Sequence, residues 1–154
     1  MRIVATLILV VGLVLACGVP PVKAQRGGTS CQLAVLPMSF GNYNVFNTAP
    51  TDFSSSVSFN CSARASIKIT LGSGKLGTFA RCDTGCGAYQ LYYNLYLDAS
   101  RSVIWGDQSH YSVYSNSNTP RNTWVYVTAY GRIPAGQDAT AGSYSDSVVV
   151  TIIY

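Results

Sequence analysis

AYGRIPAGQDATAGSYSDSVVVTIIY, residues Ala129 to Tyr154, is the stretch whose reading decides the fold. From Tyr144 the side chains alternate, with Tyr144, Val148, Val150, Ile152 and Tyr154 on one face and Ser145, Ser147 and Thr151 on the other. Val149 and Ile153 add apolar area to the second face. A period of two in β-branched and aromatic residues predicts a largely buried strand. Such a strand at the end of a β-protein calls for another strand beside it. Without one it leaves an apolar cleft and an unpaired edge. Val148, Val150, Ile152 and Tyr154 are therefore the expected lining of a strand-accepting cleft.

Working back from that stretch, Trp124 to Tyr130 alternates Val125, Val127 and Ala129 against Trp124, Tyr126, Thr128 and Tyr130. Gln90 to Leu97 places Leu91, Tyr93, Leu95 and Leu97 on one face, and Val103 to Trp105 reads as a short strand. Ser56 to Ser62 and Ala65 to Leu71 show the same alternation and read as a hairpin. Cys31 to Leu36 is a first strand ended by Pro37, Met38 to Phe46 a bending strand interrupted by Gly41, and Asn47 to Ser55 turn material. No segment after the N-terminal apolar run sustains a 3.6-residue period. The chain is expected to be all-β, an immunoglobulin-like β-sandwich.

The N-terminus carries Met1-Arg2, an apolar run from Ile3 to Ala16, and the small-residue ending Val22-Lys23-Ala24. It reads as a secretory signal peptide over residues 1–24, too short and too quickly broken by Gly18, Pro20 and Pro21 for a membrane span. The competing reading is a lipobox, Val14-Leu15-Ala16-Cys17, in which a lipidated Cys17 would supply the only membrane contact. Residues 25–154 make one domain of ordinary size. Arg2 and Lys23 leave with the leader, so eight basic residues face six acidic ones, too little imbalance for a nucleic-acid partner. Cys31, Cys61, Cys82 and Cys86, behind an export signal, imply disulfides. Three connectivities are open, and Cys31 with Cys61 and Cys82 with Cys86 is favoured because the last two flank Asp83-Thr84-Gly85.

An enzyme has little to stand on here. The single His110 lies in a polar loop, there is no G-x-S-x-G, the thiols are expected to be oxidised, and Asp83, Asp98, Asp107 and Asp138 suit turns. No metal or cofactor site is expected, since a Cys pair with one distant His does not complete a ligand set. The tyrosines pack well in strands. A sugar-binding site, as the alternative function, would be sought in the loop aromatics Trp105, Tyr111 and Tyr114.

Tyr93-Asn94-Leu95-Tyr96, Asp98-Ala99, Arg101, Val103-Ile104-Trp105-Gly106-Asp107, Tyr130-Gly131-Arg132-Ile133-Pro134 and Gly142-Ser143-Tyr144-Ser145-Asp146 together resemble the spore coat protein U domain family. That family includes the subunits of archaic chaperone-usher pili. Cys31 and Cys61 match its disulfide positions. The resemblance implies a sandwich missing its last strand, filled first by a periplasmic chaperone and later by the extension of a neighbouring subunit, with an usher as a further partner. It also implies transit through the periplasm to the cell surface or beyond. Gln25 to Ser30 departs from the family's shaft subunits, because it offers six polar or small residues where an alternating apolar donor segment would precede the first Cys. Four alternating anchors need about seven residues, roughly 23 Å of strand. Only the acceptor half of that mechanism carries over.

Overall fold

A computed structural model describes residues 28–73, 81–83 and 90–154 of the 154-residue chain. Eight strands lie within them: β1 (Cys31–Val35), β2 (Thr51–Cys61), β3 (Ile67–Leu71), β4 (Arg81–Asp83), β5 (Leu91–Tyr96), β6 (Tyr114–Asn116), β7 (Val125–Ile133) and β8 (Val150–Ile153). They form a five-stranded sheet in the order β1-β2-β7-β5-β4 and a three-stranded sheet in the order β6-β3-β8. Every neighbouring pair is antiparallel. The expected signal peptide, the Cys17 alternative and the Cys82–Cys86 pairing lie outside the described residues.

The core follows from the alternation. β2 turns Val57, Phe59 and Cys61 inward and β7 adds Val127 and Ala129, while Ile67, Ile69 and Leu71 of β3 meet them from the facing sheet. Trp105 is enclosed with them. A disulfide joins Cys31 to Cys61, directly opposite each other in the β1–β2 register.

Four local expectations are corrected. Ser56 to Ser62 and Ala65 to Leu71 are not a hairpin, because β2 and β3 belong to different sheets and their inward side chains face each other across the core. Met38 to Phe46 forms no strand, since Pro37, a left-handed Gly41 (φ 69°) and an Asn44 side chain accepting from Phe46 N–H turn the chain repeatedly. β2 starts at Thr51 rather than Ser56, because β7 pairs with it as far as Ile133 and Arg132 holds Asp52. The last strand begins only at Val150. The preceding residues follow the end of β3, and Gly72 N–H to Val149 O (2.8 Å) is the last bond of that ladder.

β7 stops at Pro134, which has no N–H to offer β5. The Gln137 carboxamide takes over. It accepts from Tyr92 N–H at 2.7 Å and donates to Tyr92 C=O at 2.9 Å.

Candidate functional site

β8 has β3 on one side and, among the described residues, no strand on the other. The register pairs Leu71 with Val150, Thr70 with Thr151, Ile69 with Ile152 and Lys68 with Ile153. The Gly72–Val149 bond fixes the phase, so Val149, Thr151 and Ile153 direct their peptide groups to β3. Val150 and Ile152 direct theirs to the open edge. Their side chains point to the core, with Val148, Val150, Ile152 and Tyr154 half-buried against it, while Val149 is 70% exposed. Residues whose side chains face inward are thus the ones whose N–H and C=O remain available.

Beside this edge runs a groove of about 940 Å³. One bank is the segment from Val35 to Val45 and the other the segment from Ala139 to Val150. Leu71, Leu91, Leu95, Ala129 and Ile133 lie along its bottom. Of the four residues expected to line a cleft, Val148 and Val150 border this groove, and Ile152 and Tyr154 continue the same face against the core. β1 presents a matching edge: Leu36 N–H bonds Ser56 O (3.0 Å) and Ser62 N–H bonds Ser30 O (2.8 Å). The even residues of β1 therefore face β2, leaving the peptide groups of Cys31, Leu33 and Val35 pointing outward.

Side-chain bonds fix both banks. Tyr93 O–H donates to Asp146 Oδ2 at 2.8 Å, Asp146 Oδ1 accepts from Ser147 N–H at 2.7 Å, and Tyr144 O–H closes on Thr140 O at 2.7 Å. Across the groove, Tyr43 O–H donates to Pro134 O (3.1 Å) and accepts from Gln137 N–H (2.9 Å). Phe40 packs on Tyr93 with ring centroids 5.7 Å apart. Sequence reasoning missed Met38 and Phe40 as the bank of a cleft; their signal was the apolar spacing of two, read instead as a strand.

Charge lies outside the groove bottom. Asp52 receives a bidentate pair of bonds from Arg132 (2.7 and 2.8 Å) and a third contact from Arg101 Nε at 3.2 Å. The Arg132 bonds hold its carboxyl below the usual range, and Arg101 adds to this against partial burial. Arg101, in a left-handed conformation (φ 58°), also donates to Gly131 O and lies 5.8 Å from the Tyr130 ring centroid. Asp98 closes the preceding turn by accepting from the hydroxyl of Ser100 and from the N–H groups of Ser102 and Val103, which depresses its pKa strongly.

The aromatic loop site is corrected. Trp105 is fully buried and its indole N–H donates to Ile69 O at 2.9 Å, so it is a core residue. Tyr114 is half-buried on β6, packed on Trp105 and Phe59, and Tyr111 alone of the three stays well exposed, at 57%. Among the described residues no three His, Cys, Asp or Glu side chains are grouped to hold a metal ion, and no helix is long and apolar enough to cross a membrane.

The Spore Coat Protein U domain model matches residues 22–151. The chain belongs to that family. Protein U of Myxococcus xanthus is 32% identical over 131 residues, which cover 76% of this chain and 71% of that relative. The same fold occurs in the crystal structure of the CsuC–CsuE chaperone–tip adhesion subunit pre-assembly complex from the archaic chaperone-usher Csu pili of Acinetobacter baumannii. The likeness has a TM-score of 0.61 at 21% identity and covers 82% of this chain. This chain spans 40% of the length of that one. In this member of the spore coat protein U family, the motif residues Asp98, Arg101, Gly131 and Arg132 brace the turn beside β7, and Tyr144 and Asp146 shape the approach to β8.

Proposed function

We propose that residues 25–154, released from a signal peptide at 1–24, form a non-enzymatic structural subunit of an exported fibre or coat. The subunit accepts a β-strand from a periplasmic chaperone and then from a neighbouring subunit, with an usher and further fibre subunits as its other partners. It passes through the periplasm to the cell surface or beyond, and touches a membrane only if Cys17 is lipidated. The observation that carries this reading is the coincidence, along β8, of outward peptide groups and inward apolar side chains beside an apolar groove. An added strand gains backbone bonds from the edge and buries alternate side chains in the groove. The fold shared with a chaperone–subunit assembly supports the reading. An adhesive role through Trp105, Tyr111 and Tyr114 lacks support because Trp105 is enclosed.

The test is a fusion of a flexible linker and an alternating apolar peptide after Tyr154. Tethering raises the local strand concentration into roughly the millimolar range, so the fusion is expected to be a soluble monomer of clearly higher Tm. A scrambled peptide should confer nothing. An unfused chain that is monomeric and equally thermostable would sink the strand-acceptor reading.

A further inference from the structure

Val149, Thr151 and Ile153 carry their side chains on the outer face of the three-stranded sheet, the side of β8 away from the groove. Val149 is 70% exposed and Ile153 43% exposed. The register explains both. Val149 stands beside Gly72, which has no side chain to cover it. Ile153 stands opposite Lys68, whose ammonium is held by Gln108 Oε1 at 2.9 Å, in the loop leading to β6 on the other side of β3. Thr151 lies between them opposite Thr70, both half-buried. No charged side chain occurs from Ser147 to Tyr154. Edge strands of soluble proteins commonly carry such a charge, which hinders pairing. β8 is thus uncharged and partly apolar on its outer face as well as its inner one.

We infer that the strand accepted by β8 is recognised on both faces, with apolar β-branched side chains pointing outward opposite Val149 and Ile153 and a hydroxyl opposite Thr151. This rests on the strand-acceptor reading and adds an external row of contacts to it. The reason is parity. Val150 and Ile152 hold the free peptide groups of the edge, and every neighbouring pair in both sheets is antiparallel. In an antiparallel addition Val149, Thr151 and Ile153 therefore take the positions without hydrogen bonds, where facing residues come closest, about 4.5 Å between Cα atoms. Each outward side chain of the incoming strand is set directly against one of them. An apolar side chain covers what Gly72 and Lys68 leave bare, and a hydroxyl suits Thr151. A carboxylate would have to draw Lys68 away from Gln108 and across the width of β8, and an ammonium meets no counter-charge on β8. The occupant is a lone strand rather than the β8 of a second copy, which arrives already paired to its own β3, whereas here the segment from Val35 to Val45 stands across the groove.

The experiment compares peptides fused after Tyr154 on a flexible linker, identical at their alternating apolar inward residues and differing only at three successive outward positions: Val-Thr-Val, Thr-Thr-Thr, Glu-Thr-Glu or Lys-Thr-Lys. Docking is read from the slowing of amide exchange at Val150 and Ile152. Val-Thr-Val should slow it roughly three- to tenfold more than Thr-Thr-Thr, within what two apolar cross-strand pairs contribute, and the charged peptides should dock more weakly still. Valine and threonine share their shape and their preference for strands, and in a Val149→Thr/Ile153→Thr chain the advantage of Val-Thr-Val should all but vanish. If no peptide slows exchange at Val150 and Ile152, the strand-acceptor reading fails and the outer row with it. If all four slow it equally, that reading stands and the outer row is overturned. The outer row is also overturned if Glu-Thr-Glu docks best, if the advantage of Val-Thr-Val survives in the double variant, or if the double variant changes only the oligomeric state of the unfused chain and not docking.

Discussion

Tyr93, on the groove bottom, donates its hydroxyl to Asp146 Oδ2 at 2.8 Å and so fastens the sheet to the segment that leads into β8. A bond to a charged acceptor contributes about 1.5–3 kcal/mol. Tyr93→Phe removes it while keeping the ring against Phe40. The expected result is a lower Tm together with faster amide exchange in residues 144–149. Unchanged exchange there would show that the bank is held by other means.

Gly131 is buried on β7, where an added Cβ would collide with Met38 Sδ and come within 2.6 Å of Phe40 Cζ. Gly131→Ala must therefore push the opposite bank away from β7, an overpacking cost of roughly 1–3 kcal/mol. Thermal melts should show that loss, with an altered near-ultraviolet signal from the Phe40–Tyr93 contact. A variant as stable as the parent would mean that Met38 and Phe40 move aside freely.

Amide exchange also tests the phase of the edge. In the chain without a donor strand, Thr151 and Ile153 N–H should exchange slowly and Val150 and Ile152 N–H quickly, because only the first two point at β3. Adding the fused donor peptide should slow Val150 and Ile152 selectively. Equal protection at all four positions before fusion would contradict the open edge.

Acid should weaken the fold through three carboxylates. Asp52 is held below its ordinary pKa by Arg132, Asp98 by the Ser100 hydroxyl and two backbone N–H groups, and Asp107 by the N–H groups of His110 and Ser109. Each has a lower pKa folded than unfolded. The stability they contribute is complete above the unfolded value near ~4 and is lost as pH falls through the folded values. Asp52→Asn should therefore melt below the parent at neutral pH, and the two should converge as pH drops under ~4. A gap that persists to strongly acid pH would exclude Asp52 as a source of the acid sensitivity.

Removing the Cys31–Cys61 bridge, which spans a sequence separation of 30, should cost about 3.5 kcal/mol by the loop-entropy estimate. A Cys31→Ala/Cys61→Ala protein should lose that much in denaturant titrations. A loss below about 1 kcal/mol would mean that the β1–β2 ladder alone confines the unfolded chain.

Inward residues were legible from the sequence, because alternation reports which face a side chain takes: Val57, Phe59, Cys61, Ile67, Ile69, Leu71 and Val127 are all in the core. The choice of neighbour was not, since nothing local to Ser62–Ser66 says that the chain crosses to the other sheet there. The partner of β2, beside β1, is β7, some seventy residues on, and only their shared register reveals it. Likewise Val148 and Val150 announced one bank of the groove, whereas the other depends on Gly131 lacking a Cβ, a fact of contact between distant segments. Trp105 was misplaced because a two-residue bridge in a polar context carries no periodicity to signal burial.

The parity along β8 has a mechanical consequence. A strand laid on that edge must match peptide groups and side chains at once, so sliding by one residue would break the hydrogen bonds and turn its apolar side chains to water together. Only shifts by two residues, about 6.6 Å, restore both. Under tension such a joint would not creep. It would hold, or jump by a whole notch.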